Sequence, residues 1–216
     1  MTMQPGSWEP RPASAPVRRP PGAVAPKTSD GGLGPALGTG ITFTVVTWVT
    51  FFINEIFFRG GLNDLLGLRP LDTHGLWGIL FAPFLHADLQ HLMANSVPAA
   101  LFAALIAFTS KRLWWQVTAI VMVVSGVATW FIGGVGTAHI GASGLVYGWL
   151  AFLIVRGFYN RSPGQILLGM ILGFGYSGLL WGVLPTEVGV SWQMHLFGAI
   201  GGIIAAAQLK RGRATR

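Results

Sequence analysis

The sequence predicts an all-α, polytopic membrane protein with six transmembrane helices and both termini in the cytoplasm. Three observations carry this. Only 10% of the 216 residues are charged, against about 25% in ordinary globular chains, so polar groups are too few to cover a water-facing surface. Long apolar runs recur once the Pro-rich start is passed. The basic residues fall almost entirely on one side of those runs.

The elements follow in order. Residues 1–38 are rich in Pro, Gly, Ala and Ser and show no apolar period. Such a segment cannot bury enough surface to offset the entropy of ordering, and it reads as a disordered cytoplasmic tail. It lacks the apolar stretch and cleavage site of a signal peptide. The spans are expected at Ile41–Phe58, Leu89–Thr109, Leu113–Ile132, Ala142–Val155, Gln165–Leu184 and Trp192–Leu209. A spanning helix needs about 20 mostly apolar residues. Five runs fit that length and the fourth is short. The loop Arg59–Asp88 holds a shorter apolar piece, Trp77–Leu85, expected to lie in the interface. Residues 39–209 thus form the membrane domain, and 210–216 a basic tail.

Twelve of the fourteen Lys and Arg fall in the tails and in the loops after the second and fourth spans; only Arg59 and Arg69 fall opposite. Positive loops stay in the cytoplasm, which sets the orientation. The net charge of +7 is therefore a topology signal with some attraction to anionic lipid. A nucleic-acid patch would gather these charges on one surface, so no nucleic-acid partner is expected. There is no cysteine, which excludes disulfides and thiolate chemistry. His86 and His91 do not form an H-E-x-x-H zinc motif, so no metal and no cofactor are expected. Paired acidic residues or two related halves with broken helices, the marks of a transporter, are lacking.

Polar groups inside apolar spans are costly and mark function. "HADLQHLMAN" opens the second span with His86, His91 and Asn95. Ser143 opens the fourth, in "HIGASGLVYG". "SWQMHLFG" opens the sixth with His195. These spans run in the same direction. Measured from the basic residue at each inner end, Ser143, His195 and Asn95 lie about 20, 22 and 24 Å out at 1.5 Å per residue. Three helices therefore place a hydroxyl, an imidazole and a carboxamide at one depth, within about a turn. Gly144/Gly148 and Gly198/Gly202 are G-x-x-x-G pairs that allow close backbone approach in lipid. A serine needs a base to become a nucleophile, and a neutral histidine is the usual one. His91 and Asn95, four apart, share a helix face and can donate to an oxyanion. The Ser143 backbone N–H at a helix start can join them. With no acidic residue at this depth, the arrangement is a Ser–His dyad. Taken singly, each residue has a plainer reading. Ser143 fits a helix N-cap, His195 a structural histidine, His91 and Asn95 loop-bonding groups, and Tyr147 core packing. His74 and His139 read as structural or solvated loop residues.

"GASG" opening a short span, "HLFGAIGG" in the last and "HADLQHLMAN" in the second, in that order, resemble the rhomboid family of intramembrane serine proteases over about residues 41–209. The resemblance implies Ser143 as nucleophile, His195 as general base, and His91, Asn95 and the Ser143 amide as oxyanion donors. It implies that Tyr147 packs on the catalytic histidine, that His86 lines the cavity wall, and that Gly141, Gly144, Gly198 and Gly202 support the site. It implies transmembrane proteins as substrates. The simple six-span plan without targeting extensions sets the expected location at a bacterial plasma membrane. The alternative is a catalytically inactive relative that binds membrane-helix clients. Two departures stand out: Trp77-Gly78 where many members have Trp-Arg, and Phe197 where small residues are frequent.

Overall fold

A computed structural model describes residues 30–186 and 189–210. Residues 1–29 of the expected tail and 211–216 lie outside them. The described residues are helical, with no strand and one isolated bridge between Leu68 and His139.

Helix α1 spans Leu33–Ile53 and continues through a π-helical turn to Phe58. The tail boundary expected at residue 38 is thus corrected, because Leu33–Gly38 are helical. Pro35 concealed this. In the first helical turn its missing N–H costs no bond, and Gly32 precedes the helix at φ 109°. The loop after α1 is itself mostly helical. It holds α2 (Gly61–Leu66), a 3-10 turn at His74–Trp77, α3 (Gly78–Phe81) and a second 3-10 turn at Ala82–Phe84.

Helix α4 spans Leu89–Thr109, capped by the Asp88 carboxylate, which accepts from the His91 amide at 2.7 Å. Helix α5 spans Lys111–Ile132, capped by Ser110. Helix α6 runs Ser143–Asn160, α7 Pro163–Gly175 and α8 Trp192–Gln208.

By length and composition α1 with its π turn, α4 and α5 can each cross a membrane, and a fourth span exists if α7 is joined to the 3-10 turn Ser177–Val183. Those two pieces meet at 69°, so the fifth apolar run is not the straight helix expected. Helix α6 is 18 residues and α8 is 17, about 26–27 Å each at the helical rise. Helix α6 also carries Arg156, 6% exposed, inside its length rather than in the following loop. Its guanidinium donates to Thr109 Oγ1 at 3.2 Å and lies over the Phe152 ring.

The core gathers around Trp149, Phe102 and Phe152, all essentially inaccessible. Trp149 Nε1 donates to Thr118 Oγ1 at 3.1 Å, so the buried indole keeps its polar atom paired. Helix α6 lies at the centre, packed on α4, α5, α7 and α8.

The outer loops are strapped together above it. Leu68 and His139 exchange both backbone bonds, at 3.0 and 2.8 Å, and the Gly141 amide donates to the Ala82 carbonyl at 2.9 Å. Asn54, at the end of α1, is 1% exposed. Its side chain bonds Asn63 and the Leu62 amide, and Asn63 in turn donates to the His86 carbonyl. The end of the first helix is thereby tied to the start of α4.

Candidate active site

Ser143 is the first residue of α6 and is half-buried. The N-cap is Ala142, and no side chain caps this end. The reading of Ser143 as a cap is therefore excluded. Among the described residues its hydroxyl makes no hydrogen bond. The preceding Gly141 has φ 114°, which favours glycine. A Cβ there would also strike the His91 ring, 2.6 Å from Cε1 and Nε2. The imidazole of His91 thus lies against the backbone that leads into Ser143.

His195 sits in the first turn of α8 and is 7% exposed. Two contacts fix its ring. Tyr147 stacks on it with centroids 4.1 Å apart and planes 7° from parallel. Its Nδ1 lies 2.8 Å from the Gly182 carbonyl oxygen. A carbonyl only accepts, so Nδ1 holds the proton and Nε2 is left with the lone pair. Tyr147 is one turn beyond Ser143, on the same face of α6. That face is the one His195 meets.

The glycine seam explains how two helices come so close. A Cβ on Gly198 would overlap the Gly144 carbonyl, and one on Gly202 the Gly148 carbonyl. Helices α6 and α8 pack backbone to backbone, as the paired spacing allows. Gly144 faces the Met194 carbonyl, 3.4 Å from where its Cβ would stand, so the residues adjoining Ser143 and His195 are themselves in contact. Phe197 is half-buried and does not hold the seam apart.

Asn95 is 7% exposed and its amide donates to the His91 carbonyl at 2.9 Å. A carboxamide has two N–H groups, so one remains for another acceptor. His86 is 1% exposed. Its Nε2 faces the Ala142 amide at 3.5 Å, and its ring meets His91 edge-on with centroids 5.0 Å apart. It braces both His91 and the backbone before Ser143.

Two residues escaped the sequence reading. The first is Gly182, which lies in the fifth apolar run. In the structure its carbonyl holds His195, and a Cβ on it would overlap the Tyr147 hydroxyl. His139, read as a loop residue, is 6% exposed. Its Nε2–H faces the Gly133 carbonyl at 3.2 Å and Thr137 Oγ1 at 2.9 Å, so Nδ1 accepts from Ser191 Oγ at 2.6 Å. Ser191 caps α8 by accepting from the Met194 amide. Burial lowers the His139 pKa, partly offset by the Gly133 carbonyl, so the ring is neutral as this chain of bonds requires. His74 is exposed beside Asp72. Gly78 replaces the usual arginine for a packing reason: a Cβ there would overlap the Leu68 backbone.

These features define a membrane-type helical bundle whose motif-bearing helices meet near one end. A profile of the Rhomboid domain matches residues 73–212. The chain belongs to the rhomboid family. It is 42% identical over 174 residues to an uncharacterised Mycobacterium tuberculosis protein, covering 77% of this chain and 72% of that one. An uncharacterised Mycobacterium leprae protein is 45% identical over 174 residues, covering 77% and 68%. A Bacillus subtilis protein whose name carries a provisional rhomboid protease assignment is 30% identical over 135 residues, covering 61% and 67%.

Proposed function

We propose that this protein is an intramembrane serine endopeptidase that cuts peptide bonds in or near transmembrane segments of membrane proteins. The observation that carries the reading is the fixed imidazole of His195, stacked on Tyr147 with Nδ1 held by the Gly182 carbonyl. That tautomer leaves Nε2 basic and turned to the role of proton acceptor.

In this reading His195 Nε2 takes the proton of Ser143 Oγ as the oxygen attacks the scissile carbonyl. The imidazolium formed keeps its bond to Gly182 and gains from the face of the Tyr147 ring, which attracts cations. The tetrahedral oxyanion is met by the free N–H of Asn95, by His91 and by the Ser143 amide at the start of α6, where the helix dipole favours negative charge. Nε2 then protonates the leaving amine, and water hydrolyses the acyl-enzyme by the same steps. Six spans with both termini cytoplasmic, in a bacterial plasma membrane, complete the reading; the one-sided basic residues support it.

A fluorophosphonate probe should label the wild type in detergent and leave Ser143→Ala unlabelled. Ser143→Ala and His195→Ala should each abolish cleavage of a reporter transmembrane substrate while the bundle stays folded. Labelling that persists in Ser143→Ala, or cleavage by either variant, would overturn the dyad. A folded wild type that neither labels nor cuts would point instead to an inactive client-binding relative. Asn95→Ala should lower kcat by up to about 10²–10³-fold with KM little changed, because its donor acts on charge that develops in the transition state.

A further inference from the structure

We propose that the cleft between α1 and α5 is a binding site for one anionic glycerophospholipid. It rests on the membrane reading and not on proteolysis. The cleft has a volume of about 790 Å³, within the range of pockets that hold a specific ligand. One wall is α1 from Gly34 to Val46, the other α5 from Lys111 to Val123. Each wall is about 18 Å long at the helical rise. One leaflet of hydrocarbon is about 15 Å deep, half of about 30 Å. The cleft is therefore about as long as one leaflet is deep, and Ile79 and Leu80 of the outer loop also line it.

The two ends differ in chemistry. Along the depth the lining is apolar, with Phe43, Val46, Met122 and Leu145. At the mouth stands Lys111, exposed and without an ion pair among the described residues. Its neighbour Arg112 lies beside Asp30, whose carboxylate accepts from the Arg112 amide and the Ser110 hydroxyl. A turn further in, Trp114 and Thr39 belong to the wall, both 6% exposed. A phospholipid presents its phosphate at the surface, at the level of Lys111, and its acyl chains beneath, along the apolar lining. Tryptophan at the mouth suits the headgroup level.

The walls have also been left open. A Cβ on Gly34 or Gly38 would meet nothing within 4 Å, whereas on the same helix one on Gly40 would press into the Ala100 carbonyl of α4. The Cβ of a Gly38→Leu variant therefore stands in open space on a wall of the cleft.

The full chain in detergent should be titrated with dioleoyl phosphatidylglycerol and read by native mass spectrometry. The wild type should take up one lipid saturably. Lys111→Gln should raise the Kd about fivefold, the scale of one basic residue beside anionic lipid, and phosphatidylcholine should bind more weakly to the wild type. Gly38→Leu should lose the single adduct at an unchanged melting temperature. Adducts that accumulate without saturation, or equal uptake by wild type and Lys111→Gln, would overturn the site. If Gly38→Leu fails to fold, the Lys111→Gln and headgroup comparisons decide.

Discussion

Two regions of this bundle are lined with glycine and put it to opposite use. In the seam between α6 and α8 no methyl group fits: Gly198 and Gly202 lie on the carbonyls of Gly144 and Gly148. In the cleft between α1 and α5 the glycines stand over open space. Between spanning helices lipid removes the hydrophobic drive for association, leaving packing to hold them. The seam spends its glycines on that packing, and so fixes the two helices that carry Ser143 and His195. The cleft withholds packing from the far side of α5, where none of the candidate catalytic groups lies. Glycine spacing alone cannot tell these uses apart; what matters is the backbone or void opposite each one.

The contrast can be broken hardest beside the seam at Gly182, whose carbonyl holds the imidazole. Gly182→Ala should press on the Tyr147 hydroxyl and approach His195 Nδ1, which lies 3.1 Å from the new Cβ. A misplacement near 1 Å costs about 10²-fold in rate, so kcat should fall by that order while the melting temperature moves little. Equal activity would show that the ring does not depend on this contact. Gly202→Ala should destabilise by about 1–3 kcal/mol through overpacking, read as a lowered thermal midpoint in detergent. Gly38→Ala is the counter-test in the cleft. It should stabilise by about 0.5–1 kcal/mol, because alanine loses less backbone entropy in a helix and meets no neighbour there.

His139 gives a pH test of the outer strap. Its pKa in the folded protein lies below the unfolded value. Its contribution is therefore present above pH about 6.5 and is lost as pH falls below that value. His139→Leu should flatten this part of the stability profile and cost about 1–3 kcal/mol at neutral pH by leaving Ser191 without its acceptor. An unchanged pH slope would show that other groups carry the acid sensitivity.

Much of this was legible in the sequence, because apolar length and misplaced polar residues are one-dimensional signals. The runs that became α4, α5 and α8 begin and end within about two residues of expectation. The pairing of Gly144/Gly148 with Gly198/Gly202 followed from spacing. What the sequence concealed was tertiary or conformational. The start of α1 at Leu33 was hidden by Pro35 and its glycine neighbours, which are breakers in a helix interior but tolerated in a first turn. The break after α7 lies in an unbroken apolar run, and hydropathy does not distinguish an α-helix from a 3-10 turn. His139 could not be assigned without knowing that residue 191 folds against it. Gly78 looked like a missing arginine, yet the Leu68 backbone occupies the space.

The group that orients His195 is a main-chain atom. No point substitution deletes it, so side-chain scanning would leave this support of the imidazole unseen. A carbonyl is also electrically neutral. A carboxylate in the same place would bring a full charge against a ring that is 7% exposed, and a buried charge is costly unless it is paired. The turn after α7 instead delivers a neutral, fixed dipole.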